Sequence, residues 1–407
     1  MGTTDFTQRN TGIDLLRALT MLVMLFVNDF WKIHDVPTWL EHAGFGQDFM
    51  GLADVVFPCF LFVVGMSIPF AIEARFRKGV PGENIVGHIF SRTLALLVMG
   101  VFITNSEARL SEDVPYSIGI YWILMVTAFF LIWNQYPPNP GKIRKKLYVL
   151  FQWLGAGILL FLAITFRDPK GGVFSAQWGI LGAIGWTYLL CALIYVFTRD
   201  NLKYLIPVWM AFVVVCMLNT PLKEGWGKET LLQLPFPNFY HQILYTLHIG
   251  NGALPAFTMG GVIFSLLTTR YGHIKKHKKA LLTIVAAGVF GLAGFTAHRF
   301  WIVSKLSATP PWIFYVTGIA IAVYGLLTWL NEQDLAGWLR LISPAGTATL
   351  TCYLLPYVSY ALADLTGIVL PDWLTHHPWG LVNSFCFALV IILATWLAGK
   401  LRLKIKI

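Results

Sequence analysis

Twelve apolar runs, most of them close to 20 residues long, follow one another along this sequence. An α-helix needs about 20 apolar residues to span the hydrocarbon core of a bilayer. Because 57% of the residues are hydrophobic and only 12% are charged, the chain holds far more apolar surface than a soluble domain can bury. We therefore predict an all-α fold, a polytopic membrane helical bundle with about 12 transmembrane helices and no fewer than 10. The runs cover residues 13–31, 50–72, 89–104, 116–134, 147–166, 178–197, 203–219, 252–269, 280–301, 311–330, 345–363 and 379–399.

The chain lacks a polar linker that would separate two folding units, so residues 1–407 are predicted to form a single transmembrane domain. The first run has no small-residue cleavage site and is expected to remain as the first helix. The third and seventh runs are the shortest, and they are candidates for tilted, broken or re-entrant segments.

Basic residues are distributed unevenly between alternate loops. If the N-terminus lies inside, 21 of the 30 Lys and Arg residues fall on the inner face and eight on the outer face. Cytoplasmic loops are enriched in Lys and Arg, so both termini are predicted to be cytoplasmic. The net charge of +10 then reflects topology and contact with anionic membrane lipids. No nucleic-acid-binding motif or metal-ligand spacing accompanies it, so neither nucleic acid nor metal is expected.

Polar residues inside the first two helices are candidates for function, because they are costly to bury in a membrane. Asp14 and Arg17 can pair at a spacing of i and i+3, either as a structural ion pair or as a contact to a cofactor's phosphates. Asn28 closes the first helix, and Asp54 lies early in the second, where it can serve as a hydrogen-bond acceptor.

His42 lies in the loop between these two helices, preceded by Glu41 and followed by Ala43 and Gly44. A histidine can take a proton from an amine near neutral pH or carry an acyl group itself, and both roles suit acyl transfer. The residues alone do not single it out among ten histidines. The rivals on the same side of the membrane are His34, His241, His248, His376 and His377.

Three stretches resemble the transmembrane acyltransferases typified by lysosomal heparan-alpha-glucosaminide N-acetyltransferase and its bacterial homologues. The first runs through DLLRALTMLVMLFVN, the histidine of LEHAGF and LADVVFPCFLFVVGMSI. The others are SKLSATPPWIFYVTGIAIAVYGLLTWL and, more weakly, SPAGTATLTCYLL. The block from 175 to 220 has no recognised counterpart.

The resemblance implies that His42 is catalytic, that Asn28 lies beside it, and that acetyl-CoA is the acyl donor. It also implies an amino sugar or glycan as acceptor, a bacterial inner membrane location and a homodimer. Arg17 and Arg92 are candidates to hold the nucleotide end of CoA, because both lie where helices meet the cytoplasm. Asp54 and His248 are the predicted substrate-binding residues.

Two questions about the chemistry stay open. His42 can act as a general base or form a covalent acetyl-histidine. The alternative function is a secondary transporter or flippase for a glycan or lipid-linked sugar, since twelve helices with internal termini are also common in carriers. A structural partner in an envelope complex is a third possibility, suggested only by the aromatic-rich outer loops.

Overall fold

The computed structural model describes residues 10–107, 110–137, 139, 141–225, 230–231, 242, 246, 249–272, 274 and 276–407. Within these residues the chain forms 13 α-helices, and bridges between single residue pairs are its only β-structure. The all-α prediction is therefore confirmed. The helices are α1 (Thr11–Asn28), α2 (Leu52–Arg77), α3 (Gly82–Glu107), α4 (Ile118–Trp133), α5 (Lys142–Thr165), α6 (Gly179–Thr198), α7 (Leu202–Asn219), α8 (Ala253–Arg270), α9 (Lys276–Ala297), α10 (Pro310–Glu332), α11 (Ser343–Thr347), α12 (Thr349–Thr366) and α13 (Trp379–Lys400).

Each of the twelve apolar runs coincides with a helix, and only one of them is divided. The run at 345–363 is split at Ala348, whose φ of −129° and ψ of 45° separate α11 from α12. The third run, which had suggested a short or re-entrant segment, belongs to an unbroken helix of 26 residues. Its apolar run is short because α3 begins with polar turns.

Nine of the described helices are long and apolar enough to cross a membrane, namely α2, α3, α5 to α10 and α13. The shorter α4 is also apolar, while α1 and α12 match the two remaining predicted runs. These helices make the chain a polytopic helical membrane protein.

Contacts divide the chain into two compact units that are interleaved along the sequence. The prediction of a single domain over residues 1–407 is not tested by this division and stays a prediction. Unit 1 consists of Met1–Thr20, Val36–Thr93 and Ala183–Leu341, and unit 2 of Met21–Asp35, Leu94–Gly182 and Ile342–Ile407.

In unit 1, α8 packs against α2 and α7, while α9 runs along α10. The crossing of α2 and α8 is unusually close, because a Cβ atom added to Gly65 would lie 1.8 Å from the Thr258 carbonyl oxygen. The contact is reciprocal, since a Cβ atom on Gly261 would lie 2.0 Å from the carbonyl oxygen of Phe62. Small residues allow membrane helices to approach this closely, and this crossing fixes the helix that begins at the candidate site.

In unit 2, α4 packs on α5 and α12, and α12 contacts α13. Asp29, which is 1% exposed, connects three segments of this unit. It accepts hydrogen bonds from Tyr360 Oη at 2.9 Å and Ser384 Oγ at 2.8 Å, and it pairs with Lys32 Nζ at 3.0 Å. A buried carboxylate with three partners fixes the position of the chain directly after Asn28.

Candidate active site

His42 and Asp54 form a hydrogen-bonded pair in unit 1. The Nδ1 atom of His42 lies 2.7 Å from Oδ1 of Asp54. The other carboxylate oxygen, Oδ2, accepts from the backbone N–H groups of Ala43 at 2.9 Å and Gly51 at 3.2 Å. The Asp54 side chain is completely buried, whereas 51% of the His42 side chain is exposed. A fixed carboxylate therefore holds a ring that solutes can reach.

The N-terminus of α2 explains why the loop folds onto this carboxylate. The first backbone N–H groups of a helix lack partners within the helix, and here Leu52 and Ala53 donate to the carbonyl oxygens of Trp39 and Leu40 at 2.8 and 3.1 Å. A Cβ atom at Gly51 would lie 1.9 Å from the Glu41 carbonyl oxygen. Only glycine permits the loop to lie this close to α2, and this contact positions His42.

The hydrogen bonds around Asp54 define which nitrogen of His42 carries the proton. Oδ2 accepts from two N–H groups, which requires an acceptor and fits the ionised carboxylate. Oδ1 then also acts as an acceptor, so we assign the proton of the neutral ring to Nδ1. The Nε2 atom of this half-exposed ring keeps its lone pair, which is the form that can take a proton or attack a carbonyl carbon.

Lys305 places a cation beside this pair. Its Nζ atom lies 3.3 Å from Nδ1 of His42. With the proton on Nδ1, this approach is a contact between the ammonium and the ring rather than a hydrogen bond. Burial lowers the pKa of Lys305, and the negative charge of Asp54 opposes that effect. The negative charge of Asp54 thus favours the ammonium form of Lys305 beside the His42 ring.

Trp312 supports Asp54 from the other side. This residue, at the start of α10, is 1% exposed and donates from Nε1 to the Asp54 carbonyl oxygen at 3.0 Å. Its ring packs edge-on against Phe257 with 4.8 Å between the ring centres. The first turn of α2 is thereby held by aromatic residues of α8 and α10.

A second histidine–carboxylate pair lies in the same unit. Asp48 Oδ1 lies 2.7 Å from Nε2 of His298, and it accepts from the backbone N–H of Val303 at 2.8 Å. Its other oxygen pairs with Lys223 at 2.6 Å. Burial acts to raise the pKa of Asp48, but these hydrogen bonds outweigh it and hold the pKa below its usual value. Asp48 thus joins three segments at the protein surface, so the pair has a structural role.

Asn28 lies in unit 2, where it is exposed at the end of α1. It lines a cavity of about 1120 Å³ that is walled mainly by residues of the α3–α4 loop and α12. The structure thus brings His42 and Asp54 together within unit 1, while the predicted place of Asn28 beside His42 stays a prediction.

The two arginines predicted to hold CoA differ in their surroundings. Arg17 bonds to Asp14 at 3.2 Å and to Ser67 Oγ at 2.6 Å, an arrangement that fits the structural ion pair, one of the two alternatives predicted for it. Arg92 stacks its guanidinium over the Tyr188 ring at 4.6 Å. Its buried Nε atom has no hydrogen-bond partner among the described residues, so Arg92 is the better candidate for an anionic ligand.

Among the rival histidines, His241 and His248 lie outside the described residues, and the predicted substrate-binding role of His248 stays a prediction. His34 and His376 of unit 2 pack against each other with ring centres 5.0 Å apart. The backbone N–H of His34 also donates to the Thr375 carbonyl at 2.7 Å. These contacts give the pair a role in joining two loops.

Sequence reasoning did not assign roles to Lys305, Trp312, Asp48 or His298. A signal existed for the first two, since both belong to the SKLSATPPW segment on which the resemblance partly depends. No pattern connects Asp48 to His298, which is 250 residues away.

Comparison with known proteins places these residues in a family. The model of the heparan-alpha-glucosaminide N-acetyltransferase catalytic family matches residues 9–233, more than half of the chain, and continues through the block at 175–220. The heparan-alpha-glucosaminide N-acetyltransferase of Mus musculus is 26% identical over 194 residues, which are 42% of this chain and 28% of the relative. The Homo sapiens protein of the same name is 28% identical over 198 residues, 44% of this chain and 28% of the relative.

The alignments therefore span little more than a quarter of each relative. His42, Asp54, Asn28, Arg17 and Arg92 all fall within the family match, whereas Lys305 and Trp312 lie beyond it. A polytopic helical chain with a histidine–carboxylate pair inside a matched catalytic region thus belongs to the heparan-alpha-glucosaminide N-acetyltransferase catalytic family.

Proposed function

We propose that this protein moves an acetyl group from cytoplasmic acetyl-CoA to an amino sugar or glycan on the periplasmic side of a bacterial inner membrane. The observation that supports this most directly is the exposed His42 ring bonded at 2.7 Å to the buried Asp54. It lies in the part of the chain that matches a family of transmembrane N-acetyltransferases. Both termini are proposed to be cytoplasmic, with a homodimer as the assembly.

His42 is proposed as the general base. Acetyl-CoA supplies a thioester, whose carbonyl carbon is attacked by the acceptor amine. As the new C–N bond forms, Nε2 of His42 takes a proton from the nitrogen, and the C–S bond then breaks. The imidazolium gives the proton to the departing CoA thiolate, so that free CoA is released and the enzyme ends unchanged. Asp54 stabilises the transient positive charge on the ring.

The geometry refines the predicted role of Asp54. Three groups of its own chain occupy both carboxylate oxygens, and the side chain is fully buried. We therefore propose that Asp54 positions His42 and does not bind substrate directly. Asn28 is proposed as a second catalytic residue on the resemblance alone, and Arg92 as the contact for the CoA phosphates.

Acetyl transfer by the purified protein tests this function. Detergent-solubilised protein would be incubated with acetyl-CoA and a panel of amino sugars, and both free CoA and N-acetylated product would be measured. His42→Ala should lose about 10²- to 10⁴-fold in rate, the range of a general base. His298→Ala is the matched control because it removes the other histidine that is bonded to a carboxylate at 2.7 Å.

The two variants separate the outcomes. Equal loss in both, or an unchanged rate in His42→Ala, would refute His42 as the base. Sugar uptake into proteoliposomes without CoA release would instead favour the transporter. Protein-bound label after rapid quenching of [acetyl-14C]acetyl-CoA without acceptor would replace the general base by a covalent acetyl-histidine.

A further inference from the structure

Unit 2 contains two basic segments that lie far apart in the sequence. The start of α5 carries four exposed cations, namely Lys142, Arg144, Lys145 and Lys146. The end of α13 and the tail after it carry four more, namely Lys400, Arg402, Lys404 and Lys406. Residues 133–148 and 396–407 contain no aspartate or glutamate. Within the described part of the chain none of these eight cations forms an ion pair, so their positive charge is uncompensated.

The C-terminal tail folds back onto the end of α4 and the loop after it. The backbone N–H of Gln135 donates to the Lys404 carbonyl oxygen at 2.7 Å, and that of Lys406 donates to the Trp133 carbonyl oxygen at 3.0 Å. Ile405, between the two lysines, is 5% exposed. Alternate side chains of an extended chain point to opposite sides, so the two lysines point away from the face that buries Ile405.

The same loop also contacts α5. Tyr136, which directly follows Gln135, stacks on Tyr148 of α5 with 4.4 Å between the ring centres. The tail pairs with residues 133–135 and α5 stacks on the next residue, so the two groups of cations meet at one short segment of chain. They form a single basic surface, which is called the basic surface of unit 2 below.

Apolar side chains are exposed among these cations. Ile143 and Leu147 of α5 are 84% and 42% exposed, and Leu401 and Leu403 of the tail are 72% and 43% exposed. Both segments adjoin helices that are long and apolar enough to span a membrane, α5 and α13. A soluble polyanion would leave these apolar side chains in water. A phospholipid supplies phosphate for the cations and acyl chains for the apolar groups.

From this geometry we propose that the basic surface of unit 2 binds a phospholipid whose headgroup carries two phosphates, as in cardiolipin. One phosphate would lie against the start of α5 and the other against the tail. Arginine can bind a phosphate through two parallel hydrogen bonds, and each Lys or Arg near an anionic headgroup adds affinity. With both termini cytoplasmic, as proposed, the lipid belongs to the cytoplasmic leaflet. The site goes beyond acetyl transfer and does not depend on it.

Equilibrium binding of fluorescently labelled cardiolipin to the purified full-length protein in a neutral detergent tests the site. Wild type should bind the lipid saturably, with an affinity that falls as NaCl is added. Lys404→Gln combined with Lys406→Gln should weaken binding about 10- to 30-fold, since each cation near an anionic headgroup is worth about 5-fold. Lys404→Arg combined with Lys406→Arg keeps both charges and should bind like wild type.

Two further pairs of changes test whether both segments contribute. Arg144→Gln combined with Lys145→Gln removes two cations from the start of α5 and should weaken binding by a similar factor. Lys278→Gln combined with Lys279→Gln is the matched control, because it removes two positive charges near the start of α9 in unit 1, and it should bind like wild type. Equal losses in all three glutamine variants would attribute binding to net charge and refute a defined site. Thermal unfolding in detergent verifies that each variant is folded.

Competition identifies the ligand class. Unlabelled cardiolipin should displace the label, and phosphatidylglycerol, which has one phosphate, should compete at least about 5-fold less well. Phosphatidylcholine, which has the same acyl chains but no net charge, should not compete. Equal competition by phosphatidylglycerol, displacement by phosphatidylcholine or displacement by CoA would each overturn the proposal. Unchanged binding after loss of the Lys404 and Lys406 charges would do the same. Since no arm measures acetyl transfer, the lipid site and the proposed enzymatic function can fail independently.

Discussion

Asp54 determines both the orientation and the tautomer of His42, and an amide at this position should separate these effects from simple packing. In Asp54→Asn one carboxylate oxygen becomes an NH₂ group. If this group faces the backbone N–H groups of Ala43 and Gly51, donors oppose each other. If it faces Nδ1 of His42, the ring proton must move to Nε2. We expect kcat/KM for acetyl transfer to fall about 10²- to 10⁴-fold, with a stability cost of about 1–3 kcal/mol.

The test combines acetyl-transfer kinetics with thermal unfolding in detergent. The KM for acetyl-CoA should change little, because Asp54 is buried behind the ring. A variant that stays folded and retains its rate would show that the tautomer of His42 does not matter for the reaction.

Lys305 should stabilise the buried charge of Asp54. Its Nζ atom lies 3.3 Å from Nδ1 of His42, and the negative charge of Asp54 opposes the effect of burial on the pKa of Lys305. In Lys305→Met the carboxylate loses this cation, so the free energy of unfolding should fall by about 1 kcal/mol, the value of one charge pair at about 4 Å in water. Lys305→Arg keeps the charge and should melt like wild type in detergent. An unchanged melting temperature in Lys305→Met would exclude this electrostatic role.

The residues of the site differed in how far the sequence revealed them. Asp54 was a candidate because polar residues in membrane helices are costly to bury, whereas His42 was singled out from ten histidines by the family resemblance. Their pairing was not predicted, since it depends on a loop that closes over Gly51. Lys305 is 263 residues from His42, and no spacing rule for helices reaches across such a separation.

At the level of helices, the crossing of α2 and α8 depends on glycine. In Gly65→Ala the new Cβ atom would lie 1.8 Å from a backbone oxygen, and backbone cannot move aside as a side chain can. We expect a loss of about 1–3 kcal/mol in unfolding free energy, the usual cost of overpacking. Gly288→Ala in α9 is the control, because nothing lies within 4 Å of its added Cβ. Equal melting temperatures in detergent for the two variants would contradict the close crossing.

Asp48 connects the α1–α2 loop to the segment after α9, and its contribution should depend on pH. A carboxyl whose folded-state pKa is lowered stabilises the protein fully above its ordinary value of 3.8. That contribution is lost as the pH falls through the lower pKa of the folded state. Asp48→Asn should therefore cost about 1 kcal/mol at pH 7, and the difference from wild type should shrink below pH 3.8. Melting temperatures at several pH values measure this. A difference between wild type and Asp48→Asn that grows in acid would refute the stabilising role of Asp48.

The helices were predictable because an apolar run of membrane length is a strong signal even in a single sequence. What the runs could not show is how helices pair. The contact of α2 with α8 joins Gly65 to Thr258, far apart in the chain, and both residues are ordinary in an apolar helix. The start of α3 was missed because its first two turns contain Glu83, Asn84 and His88, which lie before the apolar run.

For the whole molecule, the distribution of basic residues leads to the remaining prediction, the orientation in the membrane. Of the 30 Lys and Arg residues, 21 fall in loops and ends assigned to the cytoplasm. Phe45 in the α1–α2 loop is 80% exposed, and Leu401 after α13 is 72% exposed. The two positions are predicted to face opposite compartments, so each can carry a reporter cysteine in a Cys386→Ser background, where the other native cysteines are buried.

A membrane-impermeant maleimide should label Phe45→Cys in cells with an intact inner membrane, and it should label Leu401→Cys only after that membrane is disrupted. Anionic lipid and the membrane potential both favour Lys and Arg on the cytoplasmic side, and His42, three residues before Phe45, would then face the periplasm. Labelling in the reverse order would place His42 with cytoplasmic acetyl-CoA, and transfer across the membrane would no longer be needed to explain the site.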